Sequence, residues 1–497
     1  MSTKTWRNCI SIISMEKLLR NDGVPMIKIL LEKELRDIIS STKFAITFGA
    51  AAILVILSFY VGIRNYEESM REFEAARAVN ANNVAALTDW RQVQHKLFRK
   101  PQPLQVLVSG VTNDIGRTTE VRPQGELTLI NSRYNVDPLF AVFRFLDLTF
   151  VVIIVFSLFA ILFGYDAING EKESGTLKLI LSNSVSRADV VLSKLLGSFL
   201  ALVVPLLVPI LVGCLMLIGF GIPMSGTEWT QLGLVIVAGL LCFGAFLMLS
   251  IMISASVTRS SASFLLSLVI WIFSVLIIPK GAVLVAAQAV DVPSLDGVEA
   301  QKRKFTLQQF DQRFQKMGEF LRADITRDET WSQRFAAFQD SLNKSFETER
   351  EEYFRKLNED WRNKKDRQEQ WAFSMARVSP TAVFQIAAMS LANTDVSLKR
   401  RYLEDLDRYQ EGYAEFLRKK TGSSGGMHIV MRFSGQQGAQ EEERKPLNPT
   451  ELPEFTERGR TLGETLSASL ADLGLLAVLN ILFFVGAFIR FLRFDVR

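Results

Sequence analysis

The sequence contains little that could build a metal site or a disulfide framework. It has three cysteines and two histidines, His95 and His428, among 497 residues. An odd number of cysteines gives no complete pairing, and no Cys/His cluster has the spacing of a zinc site. The formal net charge is only +5, which is too small to indicate nucleic-acid binding. We therefore expect neither a metal site nor a nucleic-acid partner.

Motifs for catalysis are missing as well. No Walker A motif, catalytic triad or carboxylate pair occurs in a supporting context. The segment from Gly110 to Gly116 is only superficially like a phosphate-binding loop. Its glycine spacing is one residue too long, and Arg117 stands where the motif requires lysine. We expect a simple turn there, and no catalytic or cofactor-binding residue in this chain.

Long apolar blocks are what the sequence does contain, and hydrophobic residues make up 48% of the chain. A helix needs roughly 20 apolar residues to cross a bilayer core of about 30 Å. Six blocks meet or approach this length, and they predict an all-α membrane protein with six transmembrane helices. The predicted spans are residues 44–63, 138–164, 195–221, 232–257, 261–284 and 467–491.

The distribution of basic residues predicts the orientation of these spans. No signal peptide is visible, so we expect residues 1–43 to stay in the cytosol, where their Lys and Arg content agrees with the positive-inside rule. The short loop 165–194 and the tail 492–497 are basic and predicted to be cytosolic, whereas residues 222–231 contain no Lys or Arg. The two long segments, 64–137 and 285–466, then fall outside the cytosol, because long segments cross largely regardless of charge.

The first outer segment is expected to open with a polar helix that continues from Arg64 to about Arg99, where Pro101 and Pro103 end it. Two short β-like pieces follow, Leu104–Ser109 and Glu126–Ile130. This segment therefore contributes a small β element to an extracytoplasmic domain that is otherwise mostly helical.

The second outer segment carries apolar residues at helical spacing. They include Phe310, Phe314, Met317 and Leu321, whose stripe can be the core of a helical bundle or a docking face for a partner or an apolar ligand. The apolar stretch Thr381–Ala392 is too short to span a bilayer. We expect it at the outer membrane surface or packed under the outer domain.

The loop 165–194 has the richest motif content. Residues from Glu171 to Leu181 can form an amphipathic helix, Asn183–Ser186 favours a turn, and Ser186 can cap the helix that leads into the third span. Such a hairpin is joined to two spans, so its movement would tilt both of them. This geometry can convert the movement of a cytosolic motor into rearrangement of the membrane helices.

The hairpin also carries a family resemblance. The pattern Glu-x-x-x-Gly-Thr-Leu begins at Glu171, and Leu-Ser-Asn-x-Val-Ser-Arg and Lys194 follow it. This pattern and the six-span order resemble permease subunits of ABC transporters of the type 2 exporter class. Residues Glu32–Asp37 resemble that family's amphipathic entry helix, which lies at the inner membrane face. The large outer insertions resemble a bacterial subgroup with an extracytoplasmic domain of unknown function.

The resemblance implies a subunit without its own ATPase activity, located in the bacterial cytoplasmic membrane. A separate cytosolic ATPase would bind ATP and Mg and would dock on Gly175–Lys194. Two ATPase copies and two permease subunits, identical or related, would export or extract a substrate. Within the motifs, Arg187 is expected to contact the ATPase, while Glu171 and Glu173 contact it or fix the hairpin to the entry helix. The residues assigned to coupling are Glu171, Glu173, Gly175, Thr176, Ser186, Arg187 and Lys194, with Lys33, Glu34 and Arg36 in the entry helix.

Polar residues and prolines inside the predicted spans are further candidates. Arg144 and Asp147 share a helix face, and a structural ion pair near the outer interface is favoured over a substrate relay. Asn480 is expected to form a hydrogen bond with another helix. Pro205 and Pro209 should bend the third span.

One alternative function belongs to a different class. The large outer segments leave open an ATP-driven mechanical transducer that moves its helical outer domain against an envelope partner and transports no solute. A solute-gated channel is disfavoured by the coupling-hairpin motif.

Overall fold

The computed structural model describes residues 26–122, 127, 129–131, 146–182, 185–323, 331–421 and 446–493. The chain divides into two compact units. The first, called the membrane unit, comprises Met1–Val275 and Pro380–Arg497, and the second, called the helical unit, comprises Leu276–Ser379. Both are built almost entirely from helices, which confirms the predicted all-α class.

Six helices in the described residues are long and apolar enough to cross a membrane, as predicted. An additional helix, Met26–Ile39, precedes them and is called the entry helix. Spans 1 to 6 are Thr42–Ala85, Leu148–Ser174, Arg187–Gly219, Gly226–Ser256, Ser260–Ala289 and Leu462–Leu492.

Polar side chains define where several spans begin. Asp147 caps span 2, since its carboxylate accepts a hydrogen bond from the Phe150 amide at 2.9 Å and another from the Ser109 hydroxyl at 2.8 Å. The helix therefore starts at Leu148, and Arg144 lies outside the described residues. Capping boxes open span 4 at Ser225 and span 6 at Thr461.

Three of the spans contain π-helical turns or prolines. Span 2 contains a π-helical turn at Val151–Phe156 before α-helix resumes at Ser157–Gly164, and span 5 consists of Ser260–Ile272, a π turn at Phe273–Ile277, and Ile278–Ala289. Pro205 and Pro209 lie inside span 3, which remains one helix. In span 6, the Asn480 amide donates to the Leu241 carbonyl of span 4 at 2.8 Å.

The short apolar helix runs Pro380–Leu391 and packs between spans 4 and 6. The Cys242 thiol donates to the Pro380 carbonyl at 3.7 Å, and Phe384 lies beside Gly239. Cys242 lies 14 residues before Ser256, about 21 Å along span 4 at the helical rise. The helix therefore starts deep within the bundle. Of the two placements expected from the sequence, the one at the outer membrane surface was wrong, because small residues such as Gly239 let the helix insert between the spans. The other placement, under the outer domain, stays a prediction.

A small antiparallel sheet lies at the end of the bundle away from residue 165. Its strands are β1 (His95–Phe98), β2 (Thr118–Val121) and β3 (Leu129–Ile130), in the order β1-β2-β3. The helix Ser397–Thr421, called the tyrosine helix, packs on it. Their shared core comprises Val84, Trp90, Leu97, Val121, Tyr402, Leu406, Tyr409, Tyr413 and Leu417.

Two expectations for this region were wrong. The helix of span 1 ends at Ala85 instead of near Arg99, because residues His95–Phe98 pair with β2 and turn His95 and Leu97 into the core. The predicted strand Leu104–Ser109 contains a 3-10 turn at Pro103–Val106, since Pro103 favours a first helical turn and has no amide to donate to a sheet. Two further short 3-10 turns are Trp90–Gln92 and Pro449–Glu451.

The helical unit is built on two long helices, Leu295–Ala323 and Trp331–Ala376, next to the end of span 5. Phe305 stacks on Tyr353 with 4.0 Å between ring centroids. Farther along, Phe320 stacks on Phe338 at 4.2 Å. Because the residue numbers rise on one helix as they fall on the other, the two helices are antiparallel.

Candidate functional site: the coupling hairpin and the entry helix

The coupling hairpin, residues 165–194, consists of two short helices and the start of span 3. The helix Asn169–Ser174 ends at Gly175, whose φ of +75° lies in the left-handed region that glycine adopts without steric cost. The second helix, Thr176–Ser182, follows at once. Ser186 then caps span 3, since its hydroxyl accepts a hydrogen bond from the Asp189 amide at 3.0 Å. Local sequence therefore determines each break in the hairpin.

A buried cluster of four charges joins three segments of the chain. Lys33 and Glu34 come from the entry helix, Glu171 from the hairpin and Lys194 from span 3. The Lys194 ammonium lies 3.0 Å from Glu34 Oε1 and 2.9 Å from Glu171 Oε1. Lys33 lies 2.9 Å from the same Glu171 oxygen and 3.9 Å from Glu34 Oε1. We call these four residues the charge cluster.

The charge cluster contains two cations and two carboxylates, and the Asp37 carboxylate of the entry helix lies close enough to interact with all four. Lys194 is only 3% exposed, and burying an unpaired charge is strongly unfavourable, so each member depends on the others. Close packing reinforces the arrangement: a Cβ added to Gly197 in span 3 would lie 2.9 Å from the Cβ of Glu34. The entry helix is therefore held against span 3 by both shape and charge.

The hairpin is also bonded to the ends of the other spans. Glu173 accepts hydrogen bonds from the amide and hydroxyl of Ser260, at the start of span 5, at 2.8 and 3.0 Å. The Ser254 hydroxyl, at the end of span 4, accepts a hydrogen bond from the backbone amide of Asn169 at 3.1 Å. Arg187 donates to the carbonyl of Leu492, at the end of span 6, at 3.1 Å.

Span 1 is attached through Lys43, whose ammonium lies 3.2 Å from Asp166 and 4.5 Å from the ring centroid of Tyr165. Spans 2 and 3 continue directly into the hairpin. All six spans are thus bonded to the hairpin or continuous with it, so a displacement of the hairpin would be transmitted to all of them.

One face of the second hairpin helix is left exposed by the residues that the structure describes. Leu177 is buried at 2% exposure, whereas Leu179 is 56% exposed beside the exposed Lys178 and Ser182. We call Lys178, Leu179 and Ser182 the hairpin tip. Sequence reasoning did not single out these residues. A signal was present, since leucines two positions apart on a helix point in different directions and cannot share one buried face.

Most of the predicted coupling residues form contacts inside the hairpin or between the hairpin and its neighbours. The Thr176 hydroxyl, for example, lies 2.9 Å from that of Ser174. Arg36 points away from the cluster, is exposed, and pairs with Glu32 one turn earlier. The role of Arg187 in binding an ATPase stays a prediction; in the structure it donates a hydrogen bond to the end of span 6. Among the described residues, no group of three or more His, Cys, Asp or Glu side chains is placed to hold a metal ion.

Comparison with known proteins agrees with this architecture. The family model described as "ABC-2 family transporter protein" matches residues 28–496. Over 124 residues, the chain is 32% identical to the probable ABC transporter permease protein NosY of Stutzerimonas stutzeri, a match that covers 24% of this chain and 44% of that protein. Because the family match extends over almost the whole sequence, the chain belongs to the ABC-2 family of transporter proteins.

Proposed function

We propose that this chain is the permease subunit of an ATP-driven transporter and that a separate cytosolic ATPase drives it through the coupling hairpin. The observation that carries the proposal is that the hairpin continues into spans 2 and 3 and is bonded to spans 1, 4, 5 and 6. The charge cluster adds the entry helix to this set of contacts. A handle joined to every span is what a soluble motor needs in order to rearrange a membrane bundle.

The hairpin tip is the surface we assign to the ATPase. Leu179 offers an exposed apolar anchor, and Lys178 offers an adjacent positive charge. A buried apolar side chain flanked by polar residues is a common arrangement at the centre of a protein interface. Glu171 and Lys194 then act behind this surface by fixing the hairpin to the entry helix and span 3.

The assembly that we propose is the one that the family resemblance implies. Two permease subunits would combine with two ATPase copies, which bind ATP and Mg, in a bacterial cytoplasmic membrane with both chain termini in the cytosol. The basic residues on the side of the membrane that holds the hairpin agree with this orientation. The direction that we propose is export or extraction of a substrate.

The test is a substitution at the tip. Leu179→Asp should reduce the affinity of the ATPase roughly 30-fold, because a buried leucine contributes about 2 kcal/mol. Leu295→Asp is the matched control, since Leu295 is a similarly exposed leucine, at 63%, in the helical unit. Binding is measured by co-purification, and coupling by permease-dependent ATP hydrolysis. Unchanged coupling in Leu179→Asp would exclude the tip as the docking surface.

A further inference from the structure

The helix Leu295–Ala323 carries a row of large apolar side chains that no described residue covers. Leu307, Phe310, Phe314 and Leu321 are 67%, 57%, 68% and 47% exposed, and the rings of the two phenylalanines lie 5.1 Å apart. Met317, which is half-buried, completes the row, and the five residues recur at intervals of three, four, three and four. We call these five residues the exposed heptad stripe.

The stripe is distinct from the face that holds the helical unit together. Phe305, Gln309 and Phe320 turn toward the helix Trp331–Ala376, and the Gln309 amide donates to its Phe346 carbonyl at 3.2 Å. The helix therefore has two faces at coiled-coil spacing, and within the described part of the chain only one of them has a partner. Alternating intervals of three and four residues are the pattern that packs against another helix.

We propose that the exposed heptad stripe pairs with the same stripe of a second copy of this chain within the assembled transporter. The inference rests on the proposed function, because that function brings two permease subunits into one complex. The family leaves open whether the two permease subunits are identical or only related. The present proposal specifies two identical subunits.

The area of the stripe favours a partner that is already held nearby. With about 150–250 Å² for a fully buried phenylalanine, the exposed apolar surface of the stripe is on the order of 400 Å² per copy. Two copies would bury roughly 800 Å², less than the 1,200 Å² or more of a stable independent interface. Two subunits already joined through their membrane helices need far less, since tethering raises the effective concentration of the second contact.

The charges beside the stripe favour parallel pairing with an identical helix. Asp311 flanks Phe314 on one side of the helix and Arg313 flanks it on the other, and both are exposed. In a parallel two-fold pair, each flank of one helix faces the opposite flank of its partner. The carboxylate of each copy would then lie beside the guanidinium of the other, only two residues or about 3 Å apart along the axis. An antiparallel pair would place like charges together.

Disulfide crosslinking in native membranes tests this pairing. The chain is expressed with its ATPase, with Cys9, Cys214 and Cys242 replaced by alanine, and a single cysteine is introduced as Phe314→Cys or as Gln315→Cys. Gln315 is the matched control, since it is exposed and adjacent but points about 100° away around the helix. Mild oxidation should give an adduct at twice the chain mass, at least fivefold more abundant for Phe314→Cys.

A second variant excludes chance collision in a crowded membrane. Adding Phe310→Asp and Leu307→Asp to Phe314→Cys should return the adduct to the Gln315→Cys level, because exposed side chains can be changed without disturbing the fold. Equal adduct from Phe314→Cys and Gln315→Cys, no adduct, or an adduct with a protein of different mass would each overturn the proposal. ATPase co-purification from the same membranes reports on the proposed function separately, since the stripe and the hairpin tip share no residue.

Discussion

The charge cluster gives the most quantitative prediction. Lys194→Met removes the most buried cation and leaves Glu34 and Glu171 to share Lys33. Removing one member of a buried ionic group typically costs about 3–5 kcal/mol, because the partner charge stays buried without compensation. We expect a loss of this size in the free energy of unfolding, together with release of the entry helix.

The cycle that includes Glu171→Gln makes this prediction specific. That change alone leaves two lysines facing Glu34 and should also be destabilising. The double variant Glu171→Gln/Lys194→Met removes one charge of each sign and leaves Lys33 beside Glu34. Its loss should therefore fall short of the summed single losses by about 2 kcal/mol or more, within the range seen for residues in direct contact.

The assay is denaturant-induced unfolding of the purified chain in detergent, with Lys178→Met as control. Lys178 is an exposed lysine of the same hairpin, so its loss should change stability by no more than about 0.5 kcal/mol. Single losses near the Lys178→Met value, or strictly additive losses in the double variant, would refute the claim that the four charges form one structural unit.

Two further predictions concern packing and pH. Gly197→Ala should cost about 1–3 kcal/mol by forcing a Cβ against Glu34, whereas Gly233→Ala, where the added atom meets nothing within 4 Å, should not destabilise; thermal unfolding of both variants distinguishes these cases. Burial lowers the pKa of His95 from its usual 6.5 to about 4, so protonation favours the unfolded chain. The contribution of neutral His95 to stability is fully present above pH 6.5 and is lost as the pH falls toward 4. The free energy of unfolding should therefore be about 2 kcal/mol lower at pH 5 than at pH 7. His95→Phe should remove this part of the pH dependence, and an unchanged profile would show that His95 is not its source.

The membrane helices were predictable because span length and hydropathy are local properties. Each of the six apolar blocks is long enough to identify a span without knowledge of its neighbours. The errors arose where tertiary contacts decide. Span 1 ends at Ala85 because the residues beyond it are recruited into a sheet with β2, and the helix Pro380–Leu391 enters the bundle because spans 4 and 6 leave room for it.

For the candidate site, the sequence predicted the local turns and caps of the hairpin but not the contacts that its residues form with distant segments. Gly175 and Ser186 act locally, as a left-handed helix end and a helix cap, and their roles can be read from neighbouring residues. The partners of Glu171 lie elsewhere: Lys33 is 138 residues away, and no local pattern encodes that contact. The exposure of Leu179 likewise depends on which face of a short helix the rest of the bundle covers.

Site-specific photocrosslinking from the hairpin tip tests the central claim most directly. A photoreactive phenylalanine analogue in place of Lys178, in membranes that contain the whole transporter, should form a covalent adduct between this chain and the ATPase. The same analogue at Gln385, an exposed position on the helix Pro380–Leu391, should form none. If the ATPase co-purifies with the chain but the analogue at position 178 gives no adduct with it, the hairpin is not the point at which the motor acts.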